Sequence, residues 1–177
     1  RLQDAERLIS KYPGSSPDLV FQQGALAFLK KDYSLAQKLF REAARRASET
    51  TAENALFNEN LAALNANDAS GAAALIKEAA GSSRLRESIL FEQAHYAAKR
   101  MAPQAAELLA NFITLAETPA LKTQARLDQV EVALNLNPPD LETVQAILPL
   151  LEKEQLSPEQ TMQLARLNIC LLYTSDA

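Results

Sequence analysis

FQQGALAFLK, residues 21 to 30, is matched by FNENLAALNA from Phe57, FEQAHYAAKR from Phe91 and LDQVEVALNL from Leu127, with a weaker copy, MQLARLNIC, from Met162. The starts lie 36, 34, 36 and 35 residues apart, a period that belongs to helical-hairpin repeats. Such a repeat predicts a scaffold that binds other proteins. It names neither the partner nor a reaction.

Working outward, the composition agrees. Ala and Leu abound, Gly is scarce, Trp is absent and β-branched runs are missing, which favours helix throughout. The expectation is an all-α protein. No apolar stretch approaches the length of a bilayer span, and no charged-then-apolar leader opens the chain. The sequence starts at Arg1 without an initiator Met and enters mid-helix, so any targeting segment would lie outside it. A bacterial cytoplasm and the cell envelope both stay open as locations.

The other end reads differently. CLLYTSDA, Cys170 to Ala177, resembles a translated transposase sequencing adapter, since TGT CTC TTA TAC ACA TCT GAC GCT in frame spells it residue for residue. A natural helix end is the alternative. On the adapter reading residues 1–169 are a fragment of one solenoid domain and residues 170–177 a non-native tail. Cys170, the only cysteine, then supports neither a disulfide nor a thiol nucleophile. The last helix would lack a covering partner, so fraying or self-association is expected there.

Helices are expected at roughly 2 to 12, 17 to 30, 33 to 48, 51 to 66, 69 to 80, 84 to 100, 103 to 117, 120 to 136, 140 to 154 and 158 to 169. The first closes on Pro13-Gly14-Ser15-Ser16, and Pro17 opens the second. Later breaks fall at Lys31-Asp32, Asn67-Asp68, Gly81-Ser82-Ser83, Thr118-Pro119, Asn137-Pro138-Pro139 and Ser157-Pro158. Connections this short make neighbouring helices antiparallel.

The best repeat, Pro17 to Ala47, has a small residue at Gly24, an acidic-aromatic turn at Asp32-Tyr33 and a small-large-small series in Ala36, Phe40 and Ala43. One period on stand Asn60, Asp68, Ala72, Ile76 and Ala79. In the third copy Ala94 replaces the glycine and Ala106 is the favoured small residue, with Ala105 the other choice; in the fourth, Val130 and Val144 take these places. On these residues the chain resembles the tetratricopeptide repeat family, in a divergent bacterial form. That resemblance implies a right-handed α-solenoid of antiparallel hairpins, about four repeats with truncated ends. HEAT-like hairpins are the architectural alternative. The chain departs from the family in lacking a large aromatic early in each first helix, where Val20, Leu56, Leu90 and Arg126 stand. It also carries Gln23, Glu59, Gln93 and Gln129 where an apolar residue is usual.

In that family one face of each first helix lines a concave wall on which peptides lie. The resemblance therefore implies groove residues Phe21, Phe28 and Leu29; Phe57, Leu61, Leu64 and Asn65; Phe91, His95, Ala98 and Lys99; and Leu127, Glu131, Leu134 and Asn135. Aromatics on such a wall bind well because they bury much area with little rotamer entropy to lose. A Phe recurring at one repeat position is equally consistent with core.

Nine basic and six acidic side chains fall in residues 1 to 50, nine and sixteen in the rest. Lys30, Lys31, Lys38, Arg41, Arg45 and Arg46 concentrate the positive charge, as a solvated helix face or as a dock for an acidic partner. Nucleic-acid binding is disfavoured by the net charge of -4 and by the lack of an interleaved basic-aromatic motif. His95, the only histidine, could bond a ligand or respond to pH, although a lone His is more often a plain polar helix residue. With no second His and no dependable Cys, no metal site and no cofactor are expected.

Nor is catalysis expected. A nucleophilic device would have to run through His95 or Cys170, and Gly14, Gly24, Gly71 and Gly81 are too scattered to cradle a phosphate. Asp140 with Glu142, and Glu152 with Glu154, diverge on their helices. The expected function is a non-catalytic scaffold for a protein or peptide. The alternative is a regulatory or substrate-docking arm of an enzyme whose catalytic domain lies elsewhere.

Overall fold

The computed structural model describes residues 2–11 and 16–175. Pro13, Gly14 and Ser15 of the expected first turn, and Asp176 and Ala177 of the tail, lie outside them. Among the described residues ten α-helices follow one another: α1 Leu2–Ser10, α2 Pro17–Leu29, α3 Tyr33–Arg46, α4 Glu49–Asn65, α5 Ala69–Glu78, α6 Ser83–Lys99, α7 Ala105–Leu115, α8 Pro119–Leu134, α9 Leu141–Leu151 and α10 Pro158–Ser175. A 3-10 turn, Ala79–Gly81, joins α5 to α6. No strand occurs among the described residues. No helix there is long and apolar enough to cross a membrane.

The same turn is built three times. Lys31, Asn67 and Met101 take left-handed φ values of 65°, 57° and 50°. After each, the next N–H reaches back to a carbonyl five residues earlier: Asp32 to Ala27, Asp68 to Ala63 and Ala102 to Ala97, each at 2.9 Å. This is the Schellman arrangement, which satisfies carbonyls left open at a helix end. In the first two turns the following Asp then caps the next helix, Asp32 accepting from the Leu35 N–H at 3.1 Å and Asp68 from the Gly71 N–H at 2.9 Å. The third turn has Ala102 in that place, and α7 starts without a side-chain cap at Gln104. This explains why α7 begins two residues later than its spacing predicts. Asp140 restores the device for α9, accepting from Thr143 at 3.0 Å. Ser157 and Gln160 form a reciprocal capping box on α10, at 3.2 and 3.1 Å.

Contacts group the chain into two compact units, Arg1–Ile89 and Leu90–Ala177. In the first, α2 and α3 close over Ala27, Ala36 and Phe40, which meet Ala62 of α4. Val20, Ala43 and Ala55 continue this core, and Leu75, Ala79, Leu85 and Ile89 form a further cluster with Leu56 and Phe57 against it. Phe40 is only 1% exposed, and burying a side chain of that size contributes about 2–3 kcal/mol. Leu75, not Ile76, is the deeply buried residue of α5.

In the second unit Phe91, Ala94 and Ala98 of α6 pack on Ala105, Leu109 and Phe112 of α7 and Ala125 of α8. Ala105 is fully enclosed and its neighbour Ala106 exposed, so the small residue at this crossing is Ala105, not the favoured Ala106. Leu127, Val130 and Leu134 of α8 pack on Val144, Ile147 and Leu151 of α9 and on Leu167 of α10. Val130 and Val144 are fully buried although small residues are usual there. α10 runs on to Ser175, past the expected end at Ile169, and Cys170 on it is exposed.

Candidate binding face

Each tetrad that opens a repeat buries its fourth residue, Gly24, Asn60, Ala94 or Val130, while its first residue is buried in two copies and half-buried in the other two. Leu127 is fully enclosed and Phe91 is 8% exposed; both are core residues rather than wall. Their size and apolarity drive this. Phe21 is half-buried against Phe40, ring centroids 5.3 Å apart, and Phe28 meets Tyr33 edge-on at 5.3 Å. Phe57 is half-buried on the Leu75 and Ile89 cluster. Leu61 and Asn65 are half-buried, the Asn65 amide donating to the Leu61 carbonyl at 2.8 Å.

The polar members of the face converge in the second unit. Asp128 of α8 is fully buried. His95 Nδ1 lies 2.5 Å from its Oδ2, while Gln124 Nε2 and Gln163 Nε2 approach its Oδ1 at 3.2 and 3.5 Å. Lys99 Nζ stands 3.6 Å from the same Oδ1 and 2.8 Å from Glu131 Oε2. Gln163 of α10 also donates to Glu131, at 3.2 Å. α6, α8 and α10 are thus tied by one polar network. The ring of Phe91 stacks on the imidazole, centroids 5.4 Å apart.

This electrostatic setting shifts several groups. The hydrogen bond to Asp128 raises the His95 pKa against the lowering effect of burial. Burial raises Glu92, which His95 opposes. For Lys99 burial works downward, yet the bond to Glu131 and the charge of Asp128 raise it overall.

Beside the network opens a groove of about 830 Å³. Buried Leu134 and Leu167 line it, with Lys99, Glu131, Gln163 and Arg166 around them. Asn135, Glu159, Met162 and Cys170 complete its edge. Four residues of the expected stripes, Lys99, Glu131, Leu134 and Asn135, therefore share one cavity, apolar within and charged around.

The first unit carries a second buried carboxyl. Glu59 is 7% exposed and takes two contacts from Arg41, Nε at 2.9 Å and Nη2 at 2.8 Å from its Oε1. Arg41 also pairs with Glu78. The buried Oε2 of Glu59 has no partner among the described residues. Burial raises the Glu59 pKa, with Arg41 pulling the other way. In the second unit Arg126 of α8 makes an ion pair with Glu154.

Sequence reasoning missed Asp128, Gln124 and Gln163. The available signal was the acid in second place of FEQA and LDQV, next to a large apolar residue that must point inward. No group of three or more acidic, His or Cys side chains poised for a metal occurs among the described residues. Comparison with protein-family models, with curated proteins and with solved structures yields no match to this chain.

Proposed function

We propose that the chain is a non-catalytic scaffold of tetratricopeptide-like hairpins that binds a protein or peptide along the face presented by its first helices. One observation carries the reading: stripe residues of α6 and α8, carried over from the family pattern, open with α10 on a single groove of about 830 Å³. The turn repeated at Lys31, Asn67 and Met101 and the buried small residues Ala36, Ala72 and Ala105 support the hairpin part. The groove mixes an apolar interior with charges of both signs, and this favours an amphipathic segment over a small anion or a nucleic acid.

The test is selection of binding peptides from a random display library, followed by affinity measurement on variants of the groove. Met162, 56% exposed, and Asn135, also exposed, can be changed without opening the core. Met162→Asp with Asn135→Arg should weaken selected peptides about tenfold or more, a loss of about 1.4 kcal/mol, while leaving the melting temperature in place. Peptides that bind the double variant as tightly as the wild type would remove the groove from the reading.

A further inference from the structure

We propose that His95 and Asp128 form a proton-operated clasp, which ties α6 to α8 and α10 while the imidazole is charged and slackens these helices, with the groove they wall, when it is neutral. The proposal holds whatever occupies the groove.

Asp128 has no exposed surface, so its charge must be answered by groups in contact with it. Two of these, Gln124 and Gln163, are neutral amides at 3.2 and 3.5 Å. Lys99 is the alternative cation, but at 3.6 Å from Asp128, with 45% of its side chain exposed and a shorter bond to Glu131, it is a poor substitute. His95 at 2.5 Å is the close partner. A neutral imidazole can still offer a proton from Nδ1, yet it brings no charge. Phe91 stacked on the ring, with planes 22° apart, holds its orientation in either state.

Among the described residues, charged groups reach the pair from several helices. From its own helix His95 meets Glu92 and Lys99. From α8 come Asp128 and, through Lys99, Glu131. From α10 the contact is the neutral Gln163, while Glu159 and Arg166 stand along the groove. On the α7 side Phe112 covers Phe91. The acids outnumber the cations, so the field favours a proton on His95. The Asp128 bond is the largest contribution, burial and Lys99 oppose it, and Glu92 adds to it.

The direction with pH follows. A histidine that holds its proton more tightly in the fold than in the open chain contributes stability that is complete below its ordinary pKa and is lost as pH rises through the folded value. Acid should tighten this unit and mild alkali should loosen it.

The chain has a single histidine, so one imidazole resonance reports the event directly. NMR titration of the wild type between about pH 5 and about pH 9 should give a midpoint above the ordinary 6.5. Asp128→Asn should bring that midpoint down, since the bond to Asp128 is the largest cause of the rise. Across the same span the wild-type melting temperature should fall with rising pH, and His95→Gln should flatten that dependence. A wild-type midpoint at or below 6.5, or a His95→Gln profile as steep as the wild type, overturns the clasp. Should Asp128→Asn fail to fold, those two measurements decide the matter alone.

Discussion

Gly24 of α2 faces the Phe40 ring of α3. A Cβ added there would lie 2.9 Å from two carbons of the Phe40 ring, and that ring, with Phe21 on it, has no room to retreat. Gly24→Ala gains about 1 kcal/mol of helix propensity, but the clash costs about 1–3 kcal/mol. A net loss of stability is the expected result in urea unfolding, and a gain would mean that the crossing is looser than it looks. The glycine, Ala36, Phe40 and Ala43 could all be read from the sequence, because small-large-small spacing is a local pattern. Ala105 against Ala106 could not, since adjacent alanines differ only in which way the helix is turned. The His95 and Asp128 contact was likewise out of reach, as its partners are 33 residues apart and nothing local ties them.

At the scale of elements, helix existence and most boundaries followed from capping chemistry: Asp32, Asp68, Asp140 and Ser157 each sit at a break and each caps the helix after it. The left-handed residues in the turns carry a cost that the sequence does not advertise. Lys31 and Met101 adopt a conformation that disfavours a Cβ by about 1–2 kcal/mol. Lys31→Gly should therefore stabilise the chain by about 1 kcal/mol, after the extra freedom of glycine in the unfolded state is subtracted. A thermal or chemical melt checks this. A lower midpoint would show that the Lys31 side chain contributes more than its backbone costs.

Charge is best judged over whole faces of the molecule. The basic run on α3 divides in the structure: Lys38 and Arg45 are exposed, but Arg41 turns across to Glu59 of α4 and Glu78 of α5. Its sequence pattern suggested a solvated face or a dock, and neither describes Arg41, because the acids it meets are 18 and 37 residues away. Arg41→Met should cost about 3 kcal/mol at neutral pH by leaving Glu59 buried without its cation. Glu59 already has a raised pKa from burial, and losing Arg41 removes what opposes it. Stability in the variant is thus retained at low pH and lost as pH rises through that raised value. Urea unfolding at several pH values should show the penalty shrinking towards acid; a penalty independent of pH would place the loss in packing rather than charge.

The paired geometry of Lys31-Asp32 and Asn67-Asp68 also bears on how such a chain can grow. Residues 32 to 67 begin on a capping aspartate and stop on a left-handed residue, so a tandem duplication of this stretch would create an Asn67-to-Asp32 seam with the same backbone demands as the two existing ones. A chain lengthened by this 36-residue stretch would reuse an existing turn at the seam and need no new one.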